Sequence, residues 1–394
     1  MERILAIESS CDETAAAVVE CGVPTPGDGA GGHSPSIRPV VRSSVVASQY
    51  DLHAEYGGVV PEIASRAHLE RLAPVVRAAL DRAGVGFGDL TAVAAGIRPG
   101  LIGSLLVGTS AAKAIAFARG LPFLAVDHVV AHLFAGLLDA EGGGSDGTAR
   151  DEAASAHPAG APLFPALGLV VSGGHTSLFR LDSPTAIELV GRTIDDAVGE
   201  ALDKAAAMLG LPHPGGPNLE RLAAGGDAGA LRFPVPRLPN PLDFSLSGLK
   251  TKLLYEIRGV PIGRGAASRF ERSAADLAPA RRADLAASFQ RAAFAQVTDR
   301  LARAAEAAAP RALLVGGGVV ANRALRAALA EWCGARGIAL VLPRPEHCVD
   351  NAAMIGGLAV LRRLAGDAGD PLATPAEPVS LLARGLPRAR TLTR

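Results

Sequence analysis

The chain lacks a net charge, because its 394 residues contain 39 lysines and arginines against 39 aspartates and glutamates. A neutral protein has no global field that attracts nucleic acid, so any RNA contact needs a local basic patch or a partner. Cysteine is also scarce. Four scattered cysteines without a C-x-x-C pair argue against both a disulfide framework and a zinc ribbon.

Long hydrophobic runs are missing too. The most apolar stretch, 101–118, is interrupted by Gly103, Gly108 and Lys113 and falls short of a membrane span. The start of the sequence, MERILAIESS, has neither the basic nor the apolar region of a signal peptide. We therefore expect a cytoplasmic protein that does not contact the membrane.

Two low-complexity stretches divide the chain. Residues 23–39 are rich in Gly and Pro, and 139–165 are rich in Gly, Ala, Ser and Asp, so neither buries much apolar surface. We predict an N-terminal lobe over 1–138 that carries the first stretch as an insertion, a low-complexity insertion over 139–165, and a C-terminal lobe over 166–394. The length of the chain is comfortable for two such lobes. A third irregular region, rich in Arg and Ala, covers 258–282.

One pattern occurs at the head of each half: an apolar strand, a short polar turn and a second strand. It is found as Ile4–Ile7, Glu8–Thr14 and Ala15–Val19, and again as Leu167–Val171, Ser172–Thr176 and Ser177–Leu181. Apolar residues at helical spacing follow each hairpin, over 69–83 and 194–209. We interpret the pattern as an internal duplication in an α/β protein, although two unrelated α/β halves would produce the same spacing.

The two turns contain the first candidate site residues. In Ser172–Thr176 (SGGHT), paired glycines bring backbone N–H groups close to an anion, as in phosphate-binding loops, and they equally suit a tight hairpin. In the first turn, Asp12 and Glu13 can position a nucleophile or accept its proton. The alternative for these two residues is a pair of solvated turn carboxylates.

A third turn, Gly316–Gly318, lies between an apolar strand and a predicted helix that begins near Asn322. Such an arrangement presents a flat backbone surface to a nucleotide base or an anion. Asn322 either contacts that ligand or caps the helix. On the helix after the second hairpin, Asp196, Gly199 and Asp203 are predicted to share one face, either as a ribose-binding site or as an ordinary exposed surface.

His128 and His132 stand at i and i+4, which places two imidazoles on one helical face. The H-x-x-x-H pattern alone is weak evidence for a metal, and it lacks the glutamate of a zinc peptidase motif. Asp350 precedes a further helical stretch and is either its N-cap or a third ligand. Two histidines and one carboxylate would leave open coordination positions and suit iron(II).

Together these residues resemble the bacterial tRNA threonylcarbamoyladenosine transferase family, formerly labelled O-sialoglycoprotein endopeptidase. The resemblance spans nearly the whole chain. It rests on AIESSCDET (6–14), VVSGGHTSL (170–178), DDAVGEALDKAAAMLGLPHPGGPNLERLA (195–223), DFSLSGLKT (243–251), LLVGGGVVANRALR (313–326) and CVDNAAMIG (348–356).

The resemblance implies a fold of two ribonuclease-H-like lobes around a nucleotide cleft, as in sugar kinases, Hsp70 and actin. It implies transfer of a threonylcarbamoyl group from threonylcarbamoyl-AMP to N6 of the adenosine next to the anticodon in tRNAs that read codons beginning with A. A small paralogous protein and a small ATPase are the implied partners. The residues implied to bind the donor are Val170, Val171, Ser172, Gly173, Gly174, Asp203, Gly216 and Asn322. The implied metal ligands are His128, His132 and Asp350, for iron(II) usually and zinc sometimes.

Two positions depart from the family pattern. Ala15 replaces a glycine after CDET, and Arg98 replaces the first glycine of G-P-G-L. Arg98 either disturbs the usual path of this loop or offers a cation to phosphate or RNA. Other members of the superfamily are ATPases or small-molecule kinases, which is the alternative function; a metallopeptidase is the other rival, and the missing glutamate argues against it.

Because the net charge is zero, RNA binding is expected to depend on local arginines. The C-terminal tail is one candidate, and the region 258–291 is the other. The tail carries Arg384, Arg388, Arg390 and Arg394. Its alternative is a solvated tail without a ligand.

Overall fold

The structure is a computed structural model that describes residues 1–22, 38–56, 58–140, 162–263, 269–270, 272–380 and 382. Most of the two predicted insertions and the four tail arginines therefore lie outside the described residues. The predictions about them, and about the lobe boundaries, stay predictions.

The described chain contains both strands and helices, with two runs of three consecutive strands, over 2–48 and 166–192. The strands are β1 (Glu2–Glu8), β2 (Glu13–Cys21), β3 (Val40–Ser48), β4 (Ala92–Arg98), β5 (Phe123–Asp127), β6 (Asp139–Ala140), β7 (Ala166–Val171), β8 (Thr176–Leu181), β9 (Ile187–Arg192), β10 (Ala312–Gly316) and β11 (Ala339–Val341). The α-helices are α1 (Tyr50–His53), α2 (Pro61–Ala83), α3 (Ile102–Arg119), α4 (His128–Phe134), α5 (Val198–Met208), α6 (Gly215–Ala223), α7 (Ser247–Arg258), α8 (Pro279–Ala308), α9 (Arg323–Gly334) and α10 (Ala352–Leu364).

The strands form two mixed sheets with the same topology. The first has the order β5-β4-β1-β2-β3-β6 and the second β11-β10-β7-β8-β9. In each sheet three antiparallel strands are followed by two strands parallel to the first of them. The shared order confirms the predicted duplication of a ribonuclease-H-like unit. The first sheet has an extra edge strand, β6, at the two residues where the second insertion was predicted to begin.

The core explains why β1 is apolar on both faces. Ile4, Leu5, Ala6 and Ile7 are all fully buried. Leu5 and Ile7 pack against α2 and α3, whereas Ile4 and Ala6 face α10 and α4. Because α10 comes from the end of the chain and α4 packs on both sheets, the core is continuous between the halves. No described helix is long and apolar enough to cross a membrane.

One predicted helix start is wrong. The stretch 194–209 becomes helical only at Val198, so Ile194 is exposed and Asp196 lies in the preceding turn. Asp196 therefore does not share a helical face with Gly199 and Asp203. Its carboxylate pairs instead with Lys204 and Lys250.

Arg98 takes part in an ion pair that neither sequence interpretation anticipated. Its guanidinium lies 3.0 Å from the carboxylate of Glu377. The backbone N–H of Glu377 donates to Ile97, and that of Gly100 donates to Pro378. The C-terminal segment that includes Glu377 thus lies along the end of β4, and Arg98 fixes it there.

Candidate active site

The metal-ligand candidates lie where the two sheets meet. β5 ends at Asp127, whose carboxylate accepts hydrogen bonds from Val129 and Val130 and so caps α4. This cap begins the helix at His128, and the spacing of the helix brings His132 to the same face. Both histidines are buried.

Asp350 completes this cluster. The N-cap of α10 is its neighbour Asn351, which accepts from Met354 N–H, so the carboxylate of Asp350 is not used as a cap. One oxygen, Oδ1, lies 3.3 Å from His128 Nε2 and 3.2 Å from His132 Nε2. Ligand atoms of the three residues lie within 4.8 Å of one another, and they form the one such group among the described residues. Two imidazoles and a carboxylate with open positions fit a divalent transition metal.

The charges of the cluster favour a cation. Burial alone would raise the pKa of Asp350, but His128 and His132 hold it well below its usual value. Burial alone would likewise lower the pKa of His128, but Asp350 and Glu8 raise it well above the usual value. A divalent metal bound at Nε2 of His128 would replace the proton that Asp350 and Glu8 favour on this imidazole.

Glu8, at the end of β1, was missed by the sequence analysis. Its Oε2 lies 3.1 Å from His128 Nδ1, and its Oε1 accepts from Ser10 N–H at 2.6 Å. Ser10 Oγ lies 3.3 Å from the same nitrogen, and the negative charge of Glu8 favours a proton on Nδ1, which leaves Nε2 available to a metal. The sequence feature that could have indicated Glu8 is a carboxylate directly after the apolar run Ile4–Ile7.

The second turn lies beside the same cluster. Within it, Ser172 N–H donates to His175 O at 2.8 Å, and His175 N–H donates to Ser172 Oγ at 3.0 Å. Gly173 and Gly174 are exposed, and nothing approaches the side of the backbone where a Cβ would stand. Burial and the charges of the two metal-site histidines lower the pKa of His175 to about 4. The turn therefore presents backbone N–H groups close to a neutral imidazole.

Val170 and Val171 are placed differently from the other predicted donor residues. Both are fully buried in β7, so their side chains cannot contact a ligand in the cleft.

At the third turn, a side chain at Gly316 would overlap the backbone of His132, and one at Gly317 would overlap Val171. These glycines allow the end of β10 to pack directly against α4 and β7.

Of the three remaining predicted donor residues, Asp203 and Gly216 are bonded to each other, and Asn322 has other partners. Asp203 Oδ1 accepts from Gly216 N–H at 2.8 Å, which joins α5 to the start of α6. Asn322 caps α9, because its Oδ1 accepts from Ala324 and Leu325 N–H, and its amide donates to Gln290 at 3.0 Å. The capping role is therefore correct, and Asn322 is also held in place by a buried glutamine.

Asp12 and Glu13 lie at the junction of the first turn with β2. A second residue missed from sequence, His68 of α2, is fully buried and holds this junction. Its Nδ1 lies 2.8 Å from Thr14 Oγ1 and its Nε2 lies 3.0 Å from Cys11 O. Burial and the charges of Asp12 and Asp350 raise the pKa of Glu13 to about 8. A carboxyl group with this pKa can exchange protons near neutral pH.

The fold has relatives among solved structures. HypF from T. kodakarensis aligns with 93% of this chain and 48% of its own, with a TM-score of 0.54 and 14% identity. HypF in a phosphate- and nucleotide-bound form aligns with 94% of this chain and 56% of its own, with a TM-score of 0.52 and 11% identity. At these identities the likeness concerns the fold alone. With the duplicated sheets, it shows a two-lobed α/β fold in which a ribonuclease-H-like unit is repeated.

Sequence comparison identifies the family. Residues 40–146 and 150–357 match the family model of tRNA N6-adenosine threonylcarbamoyltransferase. Proteins of that name from Sorangium cellulosum and Symbiobacterium thermophilum are 45% and 46% identical, over 93% and 89% of both chains in each pair. The chain belongs to the tRNA N6-adenosine threonylcarbamoyltransferase family. The predicted family and the predicted transferase class are confirmed.

Proposed function

We propose that this protein transfers a threonylcarbamoyl group from threonylcarbamoyl-AMP to N6 of the adenosine next to the anticodon, in tRNAs that read codons beginning with A. Family membership supports the class of reaction. Three turns meet at the cluster of His128, His132 and Asp350: the acidic turn Glu8–Thr14 and the glycine-containing turns Ser172–Thr176 and Gly316–Gly318. This convergence is the observation that supports the proposed site residues. The proposed compartment is the cytoplasm.

The second lobe is proposed to hold the adenylate. Exposed Gly173 and Gly174 can offer their N–H groups to the phosphate and carbonyl oxygens of the donor, and Ser172 holds the turn that presents them. The carboxylate of Asp203 suits a ribose hydroxyl, with Gly216 leaving the sugar room to approach. Asn322 contributes to the adjacent wall. Val170 and Val171 contribute only by fixing the strand from which the turn extends.

His128, His132 and Asp350 are proposed to hold one divalent metal, iron(II) or zinc. Such a metal supplies a Lewis acid beside the carbonyl or phosphate oxygens of a bound donor. Glu8 keeps Nε2 of His128 directed at the site. We propose iron(II) rather than zinc, because a set of two histidines and one carboxylate is typical of iron(II) sites.

The chemistry is acyl-type transfer. The N6 amine attacks the carbamoyl carbon, a new C–N bond forms, and the C–O bond to the phosphate breaks, so that AMP leaves with the electron pair. The amine loses one proton. Glu13, whose pKa is raised to about 8, is the proposed acceptor of this proton, with Asp12 beside it. AMP is already a good leaving group, so most of the catalysis is positioning and charge stabilisation.

The test is mass spectrometry of nucleosides from tRNA incubated with the protein, threonylcarbamoyl-AMP and the two proposed partners, a small paralogous protein and a small ATPase. We expect threonylcarbamoyladenosine with the native protein and near-complete loss with His132→Ala. The control is Glu200→Gln in α5, where the half-exposed carboxylate pairs with Lys204. Absence of the modified nucleoside with native protein and all components, or phosphoryl transfer to a small acceptor in its place, would contradict the proposal.

A further inference from the structure

An aromatic pair joins the two halves of the molecule. The rings of Tyr50 in α1 and His213 before α6 are stacked, with centroids 6.2 Å apart and planes inclined by 20°. Both residues are exposed, and 55% of the surface of Tyr50 remains accessible. Neither ring has a role in the site described above.

Tyr50 belongs to a segment that is bonded to the acidic turn, and His213 belongs to the segment that leads to the proposed ribose site. Tyr50 follows Gln49, whose backbone N–H donates to Asp12 O at 2.9 Å, so the backbone that carries the ring is bonded to the turn of the proposed proton acceptor. His213 lies just before the start of α6, where Gly216 N–H donates to Asp203. The pair therefore spans the distance between the acidic turn of the first half and the proposed ribose site of the second.

The anchor of Tyr50 is rigid although the ring is exposed. Gln49 is fully buried. Its side-chain Nε2 donates to Ala64 O in α2 at 3.4 Å, and its side-chain Oε1 lies 3.3 Å from His53 Nε2. An exposed ring on a buried anchor keeps its face available at little cost in conformational entropy. This arrangement suits recognition of a flat ligand.

The charges around Tyr50 indicate which part of a nucleic acid the pair can bind. Asp51 and Glu55 are both exposed in the same short segment. Carboxylates repel phosphate, so this surface does not suit the backbone of RNA. A base has no charge and every base has a π-face, so stacking on aromatic side chains is not opposed by these acids.

We propose that Tyr50 and His213 bind the acceptor adenine of the tRNA by stacking. The inference rests on the proposed function, since it takes the acceptor to be an adenosine. A base between two rings needs about 7 Å between the ring planes, so the two rings, whose centroids are 6.2 Å apart, have to move apart to take it between them. A base held there has its edge between the acidic turn and the donor site, which is where N6 has to react.

The test is a double-mutant cycle between a ring and the base. The full-length protein is titrated with a synthetic anticodon stem-loop that carries either adenosine or an abasic site at the acceptor position. We expect Tyr50→Ala to weaken binding of the adenosine stem-loop about ten-fold and to leave binding of the abasic one unchanged. Tyr50→Phe should retain the native affinity, and His213→Ala should behave like Tyr50→Ala.

Two controls separate stacking from other effects. Tyr56→Ala removes an exposed tyrosine from the same segment and should change nothing. The dependence of affinity on salt should keep its slope in Tyr50→Ala, since loss of stacking removes no phosphate contact. An equal loss for both stem-loops, a changed salt slope, or native affinity in Tyr50→Ala would overturn the inference. Native protein is assayed for transfer alongside, so a failure of the proposed function is seen separately.

Discussion

The carboxylates of Glu8 and Asp350 lie on opposite sides of the same imidazole, 3.1 Å from Nδ1 and 3.3 Å from Nε2 of His128. They come from opposite ends of the chain, and only the folding of α10 against β1 brings them together. Gly96 makes this possible, because a side chain at that position would overlap the Glu8 carboxylate. The proposed metal site therefore depends on Gly96, which is not among the proposed ligands.

Glu8→Gln should lower the affinity for a divalent metal by roughly 10- to 100-fold, as loss of the partner of a ligating histidine commonly does. The amide keeps the size of the side chain but loses the charge that fixes the tautomer of His128. Titration of the metal-free protein with Fe²⁺ or Zn²⁺ measures the change. The same titration of Glu200→Gln supplies the control. Native affinity in Glu8→Gln would show that the contact has no influence on the ligands.

Asp203→Ala should weaken binding of an adenylate by the value of one charged hydrogen bond, on the order of 1.5–3 kcal/mol. Asp203→Asn is the matched variant, because its amide oxygen can still accept from Gly216 N–H. If Asp203 contacts ribose, Asn should lie between native and Ala. Calorimetry with a non-hydrolysable adenylate measures all three. Equal affinities would place the ribose elsewhere.

Local patterns in the sequence predicted the fold correctly. The hairpins, the i, i+4 histidines and the glycine turns are each contained in a few neighbouring residues, and the duplicated sheets follow from the repeated pattern. Long-range contacts could not be predicted in this way. The pairing of Glu8 with His128, the anchoring of Cys11 and Thr14 by His68, and the ion pair of Arg98 each depend on tertiary packing. The helix start before Val198 failed because Ile194 continues the apolar spacing without being buried.

The ion pair between Arg98 and Glu377 should stabilise the native state. Both side chains are mostly buried, with 13% and 18% of their surfaces exposed, so water screens the pair only in part. In a double-mutant cycle of Arg98→Ala and Glu377→Ala, we expect a coupling in the free energy of unfolding of about 1–3 kcal/mol. The exposed pair of Arg180 and Asp182 is the matched control, with an expected coupling of about 0–1 kcal/mol. Similar couplings for both pairs would contradict this interpretation of Arg98.

Removing the contacts of His68 should loosen the first turn without removing the metal ligands. His68→Leu keeps the buried volume but cannot bond Thr14 Oγ1 or Cys11 O. We expect a loss of stability of about 1–3 kcal/mol, as for buried polar groups left without partners, and a lower transfer rate. Metal affinity should remain close to native. A fall in metal affinity as large as that of Glu8→Gln would show that His68 supports the whole site instead of the acidic turn.

Glu13 should make the metal-free protein less stable as the pH rises. Burial, Asp12 and Asp350 raise the pKa of its carboxyl group from 4.5 to about 8 in the folded state. Between these two values the folded protein binds more protons than the unfolded chain, so the contribution of Glu13 to the free energy of unfolding falls with increasing pH and levels off above about 8.

The variant Glu13→Gln cannot titrate at this position and lacks this fall. The stability of the variant relative to native should therefore increase from about pH 4.5 to pH 8, as measured by urea unfolding at a series of pH values. A bound divalent metal offsets the negative charge of Asp350, so metal should lower the pKa of Glu13 and narrow this pH window. Parallel stability curves for native protein and variant would show that the pKa of Glu13 is not raised.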